Sequence, residues 1–256
     1  MKLLVCGGMG FIGSTFIINH KSTNPNDHIT NVDSLTTGSN IKNLDKIDQT
    51  NYKFVQDDIT NSEVIDKIVS DVDLIVNFAA ETHVDRSISN SKQFLNTNIL
   101  GTHSLLESAR KHEKLFIHVS TDELYGDAKN DESFTEKSLL KPSNPYSATK
   151  AAADHLVGAY AKTFGSKCII TRCTNNFGPY QFPEKLIPKI ISKILNNKKM
   201  PIYAKGQNSR EWIHVRDHCE ALFMLYLKGK SGESYNVGSG INYKNIDLVK
   251  YIIKIF

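Results

Sequence analysis

The stretch "KLLVCGGMGFIGSTFIINHK", Lys2 to Lys21, decides the fold. An apolar run breaks on glycines and resumes with helical apolar spacing, leaving Gly7, Gly10 and Gly13 three apart at the junction; from Gly8 it also reads GxGxxG. A strand that turns through glycines into a helix brings bare backbone to the helix amino terminus, where N–H groups and the helix dipole favour a pyrophosphate. The next apolar run, "HITNVD", ends in Asp33, twenty positions past Gly13. A carboxylate there can accept hydrogen bonds from the adenosine ribose hydroxyls and repels a ribose phosphate, so NAD is expected over NADP.

Working outward, short apolar runs ("YKFVQ", "DLIVNFAA", "LFIHVS", "CIITRC", "SYNVGS") alternate with helix-like segments such as "NSEVIDKIVS" and "NTNILGTHSLLESARKH". That alternation predicts an α/β fold with a doubly wound parallel Rossmann sheet. Ligands of such sheets lie across the carboxyl ends of the strands, which brings in Asp58 and Ile59 of "QDDIT" and the small pair Ala79 and Ala80. After Cys173 the texture changes: "TNNFGPYQFPEKLIP" is rich in Asn, Pro and aromatics and reads as a loop into a second, smaller region. The expected division is an NAD-binding Rossmann domain over 1–174 and a mostly substrate-binding region over 175–256, with about 211–230 returning to the first.

Composition narrows the class. The 256 residues are 40% hydrophobic and 23% charged, as in an ordinary globular protein. The 31 Lys and Arg against 27 Asp and Glu are scattered, too weak a bias to predict a nucleic-acid partner. Cys6, Cys168, Cys173 and Cys219 form no CxxC pair and read as reduced thiols of a cytoplasmic protein. "MKLLVC" is too short an apolar start for a signal peptide, and no apolar run is long enough for a membrane span. His83, His214 and His218 lack metal-ligand spacing, so no metal is expected.

Two further motifs carry chemistry. "NPYSATKAAADHL" places Tyr146 and Lys150 four apart, on one face of a predicted helix, where an ammonium can lower the phenol pKa. "LFIHVSTDELYG" ends an apolar strand with Ser120, Thr121, Asp122 and Glu123 in a row. Neighbouring carboxylates at the mouth of a buried strand are costly unless used, and they suit an acid beside a base.

Taken with "NVDSLTTG", "FAAETHVDRSI", "NNFGPYQFPEKLIP", "SREWIHVRDH" and "YNVGSGINYKNIDL", these motifs resemble the extended short-chain dehydrogenase/reductases, the NAD-dependent epimerase/dehydratase family, and within it the nucleotide-sugar 4,6-dehydratases. The resemblance implies a lyase that dehydrates a nucleoside-diphosphate glucose, a dTDP sugar first and a UDP sugar second, to the 4-keto-6-deoxy sugar. It implies Tyr146 as the base at the C4 hydroxyl, Thr121 on the same oxygen, Lys150 steadying Tyr146, Glu123 as the base at C5 and Asp122 as the acid at the departing C6 hydroxyl. By the same resemblance Phe11, Ile12, Ser34, Leu35, Thr36, Thr82, Thr97 and Asn176 join the glycines, Asp33, Asp58, Ile59, Ala79, Ala80, Tyr146 and Lys150 around NAD. Thr82, Thr121, Asn175, Lys185, Leu186, Pro201, Ile202, Tyr203, Arg210 and Asn245 fall to the nucleotide sugar. A homodimer through the helices of "NTNILGTHSLLESARKH" and "NPYSATKAAADHL" is also implied.

The acid pair separates the alternatives, because epimerases of this family generally lack it and decarboxylases characteristically carry Ser for the Asp. A non-catalytic NAD-binding protein is the remaining alternative. Family members continue beyond the point where this chain stops, Phe256, inside the predicted helix "NIDLVKYIIKIF", so a shortened substrate region is expected.

Overall fold

Strand β1 (Lys2–Cys6) is buried at four of its five positions, as expected of a central strand covered on both faces. In the computed structural model, which describes residues 1–128, 133–199 and 206–256, β1 lies between β2 (His28–Val32) and β4 (Leu74–Asn77). The sheet continues outward through β3 (Tyr52–Val55) on one side. On the other it runs through β5 (Leu115–Thr121), β6 (Cys168–Cys173) and β9 (Ser234–Val237). All six pairings are parallel, in the order β3-β2-β1-β4-β5-β6-β9. The chain reverses its direction of winding between β1 and β4, and this switch point leaves a crevice beyond their carboxyl ends.

Helices cover both faces. On one, α1 (Phe11–Thr23) and α8 (Val215–Lys228) bring Phe16, Ile17, Val215 and Leu222 against Val5, Val76 and Ile117. On the other, α2 (Ser62–Val69), α5 (Thr102–Lys111) and α6 (Pro145–Phe164) bring Ile65, Leu105, Leu106 and Val157 against Leu4, Ile75 and Phe116. Helix α6 starts where its sequence dictates: Asn144 accepts from Ser147 N at 2.9 Å, Ser147 Oγ accepts from Asn144 N at 3.2 Å, and Pro145 occupies the first turn. Gly165, at φ +66°, ends it.

Between α3 (Val84–Ser89) with the short α4 (Ser91–Phe94) and α5, the predicted helix widens into a π-helical segment over Leu95–Gly101. Its Asn98 is clipped to the chain after β4, accepting from Glu81 N at 2.9 Å and donating to Glu81 O at 3.1 Å, and it donates to Thr149 Oγ1 of α6 at 2.9 Å. Such bulges recur at functional sites.

Two residues past β6 begins β7 (Asn175–Phe177), which pairs in parallel with β8 (Ser209–His214). Strand β10 (Asn242–Lys244) runs antiparallel to β8 on its other side. This small sheet carries its own apolar cluster, in which Ile190 of α7 (Leu186–Leu195) meets Leu248, Val249 and Ile252 of α9 (Asn245–Ile255). The second region is therefore joined to the main sheet with almost no linker, and its β7 and β8 stand over the crevice.

Candidate active site

The crevice is a cleft of about 510 Å³. At one end the glycines form its floor. Gly7 has φ +77°, and a Cβ there would lie 2.6 Å from Ala79 N; a Cβ on Gly13 would lie 2.4 Å from Gly7 O. Only hydrogen fits at either position, so the first turn of α1 and the end of β4 close on each other and leave bare backbone facing the cleft. Asp33 ends β2 with its carboxylate pinned, Oδ2 accepting from Met9 N at 2.9 Å and Oδ1 from Leu35 N and Ser39 Oγ, each at 2.8 Å. These residues fit an adenine dinucleotide: a bare glycine turn for the pyrophosphate and a fixed acceptor for a ribose at the second strand end.

Nearly every position expected to face cofactor lies on this wall: Gly7, Gly10, Phe11, Ile12, Gly13, Asp33, Ser34, Thr36, Asp58, Ile59, Ala79, Ala80, Thr82, Thr97, Tyr146, Lys150 and Asn176. Leu35 does not. Its backbone takes φ +55° in the turn that caps Asp33, and its side chain packs instead on the apolar cluster beneath α1. On the other side Thr121, Asn175, Lys185, Leu186, Arg210 and Asn245 line the same space. Pro201, Ile202 and Tyr203 lie outside the described residues.

The two chemical motifs meet in the middle. Strand β5 ends at Thr121, whose hydroxyl caps the turn Asp122–Tyr125 by accepting from Glu123 N at 3.3 Å. The same hydroxyl donates to Asp122 Oδ1 at 3.3 Å. Glu123, Tyr146 and Lys150 line the cleft; Asp122 does not. Burial, then the charge of Glu123, pushes the Asp122 carboxyl up to about 7, with Thr121 and Arg210 opposing. The same causes, burial first and Glu123 second, hold the Tyr146 phenol well above the usual tyrosine range.

The expectation that Lys150 draws the phenol down is not what the geometry shows. Its Nζ is turned into β5, donating to Val119 O at 2.8 Å and lying 3.3 Å from His118 Nε2. Burial brings Lys150 itself down to about 8, with Asp154 opposing. Nothing in the four-residue spacing could reveal this, because the acceptor comes from a strand distant in sequence. Behind Lys150, Asp154 of α6 accepts from Arg172 Nε at 2.9 Å, and Arg172 Nη1 donates to Tyr125 Oη at 2.8 Å.

Sequence reasoning named Asn245 on this wall but passed over Thr174, Gln181 and Trp212. Thr174 Oγ1, Gln181 Oε1, Trp212 Nε1 and Asn245 Oδ1 are buried polar atoms with no hydrogen-bond partner among the described residues, and all four residues line the cleft. Unpaired buried polar atoms facing one space suit a polar ligand. Thr174, Gln181 and Trp212 stand inside motifs already quoted, but neither spacing nor residue type distinguished them from packing residues. His218 lies on no metal-ligand spacing, and the structure gives it a different partner. Buried on α8, it holds Asn176, and burial pushes it down to about 4.

The sequence profile described as GDP-mannose 4,6 dehydratase matches residues 4–255. A dTDP-glucose 4,6-dehydratase of Streptomyces niveus is 44% identical over 260 residues, which cover 99% of this chain and 77% of that one. The crystal structure of dTDP-glucose 4,6-dehydratase from Bacillus anthracis str. Ames in complex with NAD superposes with a TM-score of 0.94 at 43% identity, over 100% of this chain and 81% of that one. DesIV, a dTDP-glucose 4,6-dehydratase from Streptomyces venezuelae also solved with NAD bound, superposes with a TM-score of 0.95 at 41% identity, over 99% and 80%.

Proposed function

The chain belongs to the GDP-mannose 4,6 dehydratase family, and from that premise we infer that it is an NAD-dependent hydro-lyase that converts dTDP-glucose to its 4-keto-6-deoxy product. The observation that carries the reading is the Asp122–Glu123 pair, two carboxylates at the end of β5 beside Tyr146, with Asp122 lifted to about 7. Oxidation and re-reduction at C4 alone need no such pair; elimination of water needs an acid and a base together.

Reversible hydride transfer, from C4 and back to C6, is the chemistry that bound NAD would supply here. The glycine turn of Gly7, Gly10 and Gly13 holds the pyrophosphate, Asp33 the adenosine ribose, and Lys150 with Asn176 the nicotinamide side. Tyr146 takes the C4 hydroxyl proton, with Thr121 hydrogen-bonded to the reacting oxygen. The C4 ketone acidifies the C5 hydrogen, which Glu123 removes while Asp122 protonates the departing C6 oxygen. Arg210 and Lys185, both on the cleft, match a diphosphate in charge, and Thr82 and Asn175 serve the glucosyl unit. The cofactor domain is 1–174, and the substrate region is most of 175–256, with part of it, about 211–230, returning to the first domain, a reading supported by α8 and β9 packing on the main sheet.

The chain pairs as a homodimer through the π segment with α5 and through α6, a reading supported by the exposed apolar side chains of Leu95, Leu100 and Phe164. It works in the cytoplasm, a reading supported by four buried, free thiols. The deciding experiment incubates the chain and NAD with dTDP-glucose and, separately, UDP-glucose, and follows the alkaline absorbance of a 4-keto-6-deoxy sugar. Product from dTDP-glucose is expected; no product from either sugar, with NAD bound, would overturn the reading.

A further inference from the structure

The two carboxylates assigned to elimination stand on a short turn, Asp122–Tyr125, whose own bonds are long. Glu123 N reaches Thr121 Oγ1 at 3.3 Å, and Gly126 N reaches Glu123 O at 3.3 Å, both at the weak end of the hydrogen-bond range. Shorter bonds tie the turn to its surroundings. Lys141 N donates to Leu124 O at 2.9 Å. Tyr125, only 2% exposed, accepts from Arg172 Nη1 at 2.8 Å and donates to Asn236 Oδ1 of β9 at 2.7 Å.

The same guanidinium holds α6. Arg172 Nε donates at 2.9 Å to Asp154 Oδ2, eight residues after Tyr146 on that helix, and Nη1 also reaches Glu136 O at 3.3 Å. The Arg172 guanidinium lies 5.2 Å from the centre of the Tyr125 ring, and Leu124 and Tyr125 pack on Ala151, the residue after Lys150. A planar group with several donors at fixed angles can serve two elements at once and set the distance between them. We propose that Tyr125 and Arg172 are positioning residues for the elimination: through the Tyr125 hydroxyl, Arg172 braces the turn of Asp122 and Glu123 against α6, the helix of Tyr146. The inference rests on the dehydratase reading above.

The need for a brace follows from the assigned roles. Tyr146 acts at C4 while Glu123 acts at C5 and Asp122 at the C6 oxygen, so a helix and a turn must address adjoining atoms of one sugar. A misplacement of about 1 Å at such a site costs up to about 10²-fold in rate. The groups assigned to C4 do not depend on the turn. Tyr146 and Lys150 belong to α6, and Thr121 is held in β5 opposite Cys173 of β6. Loosening Tyr125 therefore frees the acids and leaves the oxidation half of the site in place, which separates the two steps.

The test is Tyr125→Phe, which keeps the ring and loses the hydroxyl. Tyr235→Phe is its control, losing only the bond its hydroxyl accepts from Lys230 N at 2.8 Å. NAD-induced thermal stabilisation establishes that each folds and holds cofactor. In single turnovers with dTDP-glucose, Tyr125→Phe is expected to lose about 10–10²-fold in product formation with C4 oxidation within about twofold of the parent. The absorbance of reduced nicotinamide then rises above the parent's and decays as product appears. Asn236→Ala removes the hydroxyl's acceptor at an exposed position; it is expected to show the same signature at smaller size, and it carries the test if Tyr125→Phe does not fold. Parent rates in these variants, equal loss of oxidation and product with no build-up of reduced nicotinamide, or the same signature in Tyr235→Phe overturns the brace alone. A parent chain that makes no product overturns the dehydratase reading and the brace with it.

Discussion

His218 Nδ1 donates to Asn176 Oδ1 at 2.9 Å, and Asn176 Nδ2 donates to Thr174 O at 3.0 Å. The acceptor identity of Oδ1 fixes the imidazole tautomer, and the two bonds together fix the plane of the amide that faces the cleft. A helix of the main domain thus orients a residue of the strand that begins the second region.

If that orientation matters to the nicotinamide side, His218→Ala should lower kcat about tenfold with a smaller change in NAD affinity, the loss of one positioned hydrogen bond. Because burial keeps His218 neutral, down to about 4, it should add no limb to the pH profile between 5.5 and 8. Trp212, the single tryptophan and a cleft residue, provides the fluorescence signal for NAD titration. Unchanged kcat in His218→Ala would mean Asn176 holds its place unaided.

Gly7→Ala places a methyl 2.6 Å from Ala79 N at φ +77°. It should weaken NAD binding at least tenfold and destabilise the chain by about 1–3 kcal/mol through backbone strain. Gly165→Ala is the matched control: φ is +66° but nothing lies within 4 Å of its Cβ. It should cost about 1 kcal/mol in denaturant unfolding and leave NAD affinity alone.

Asp122 ties function to stability. Its folded pKa of about 7 lies above the ordinary 3.8, so the native state keeps a proton that the unfolded state has lost, and this site's contribution to stability declines as pH rises from 3.8 to about 7. Asp122→Asn removes the ionised form. The variant should therefore be more stable than the parent at pH 8, by on the order of 1–3 kcal/mol, with the gap shrinking as pH falls and closing only below the unfolded value of 3.8, in thermal melts. It should also lose at least about 10²-fold in dehydration while retaining NAD. Equal loss of cofactor binding and dehydration would assign the carboxylate a structural role.

Asp154 and Arg172 form a buried pair at 2.9 Å behind Lys150. Removing one partner strands the other, so Asp154→Leu and Arg172→Met should each destabilise by about 3–5 kcal/mol, and the double variant should recover much of that. Chemical denaturation of the four proteins closes the cycle. A double variant as unstable as the sum of the singles would show that the two side chains act separately.

Much of this was legible along the chain. The glycine turn, the carboxylate ending β2, the run of apolar strands and the acids after β5 are local features, each set by a few neighbouring residues with a strong conformational or chemical preference. The π segment over Leu95–Gly101 was not legible: it depends on Asn98 meeting Glu81 and Thr149, and helical apolar spacing carries no trace of those partners. The direction of the Leu35 side chain was not legible for a related reason, since it follows from the left-handed turn around Asp33.

By itself, then, the sequence determined the parallel α/β architecture, the dinucleotide turn and the residue types of an acid–base site, because these follow from short-range periodicity and from glycine, proline and carboxylate chemistry. Tertiary structure alone decided the protonation landscape: that Lys150 is turned into β5, that Asp122 rises to about 7, and that burial holds the Tyr146 phenol high. Those properties arise from burial and from charges brought together across β5, α6 and β8, and no spacing in one dimension contains the distances on which they depend.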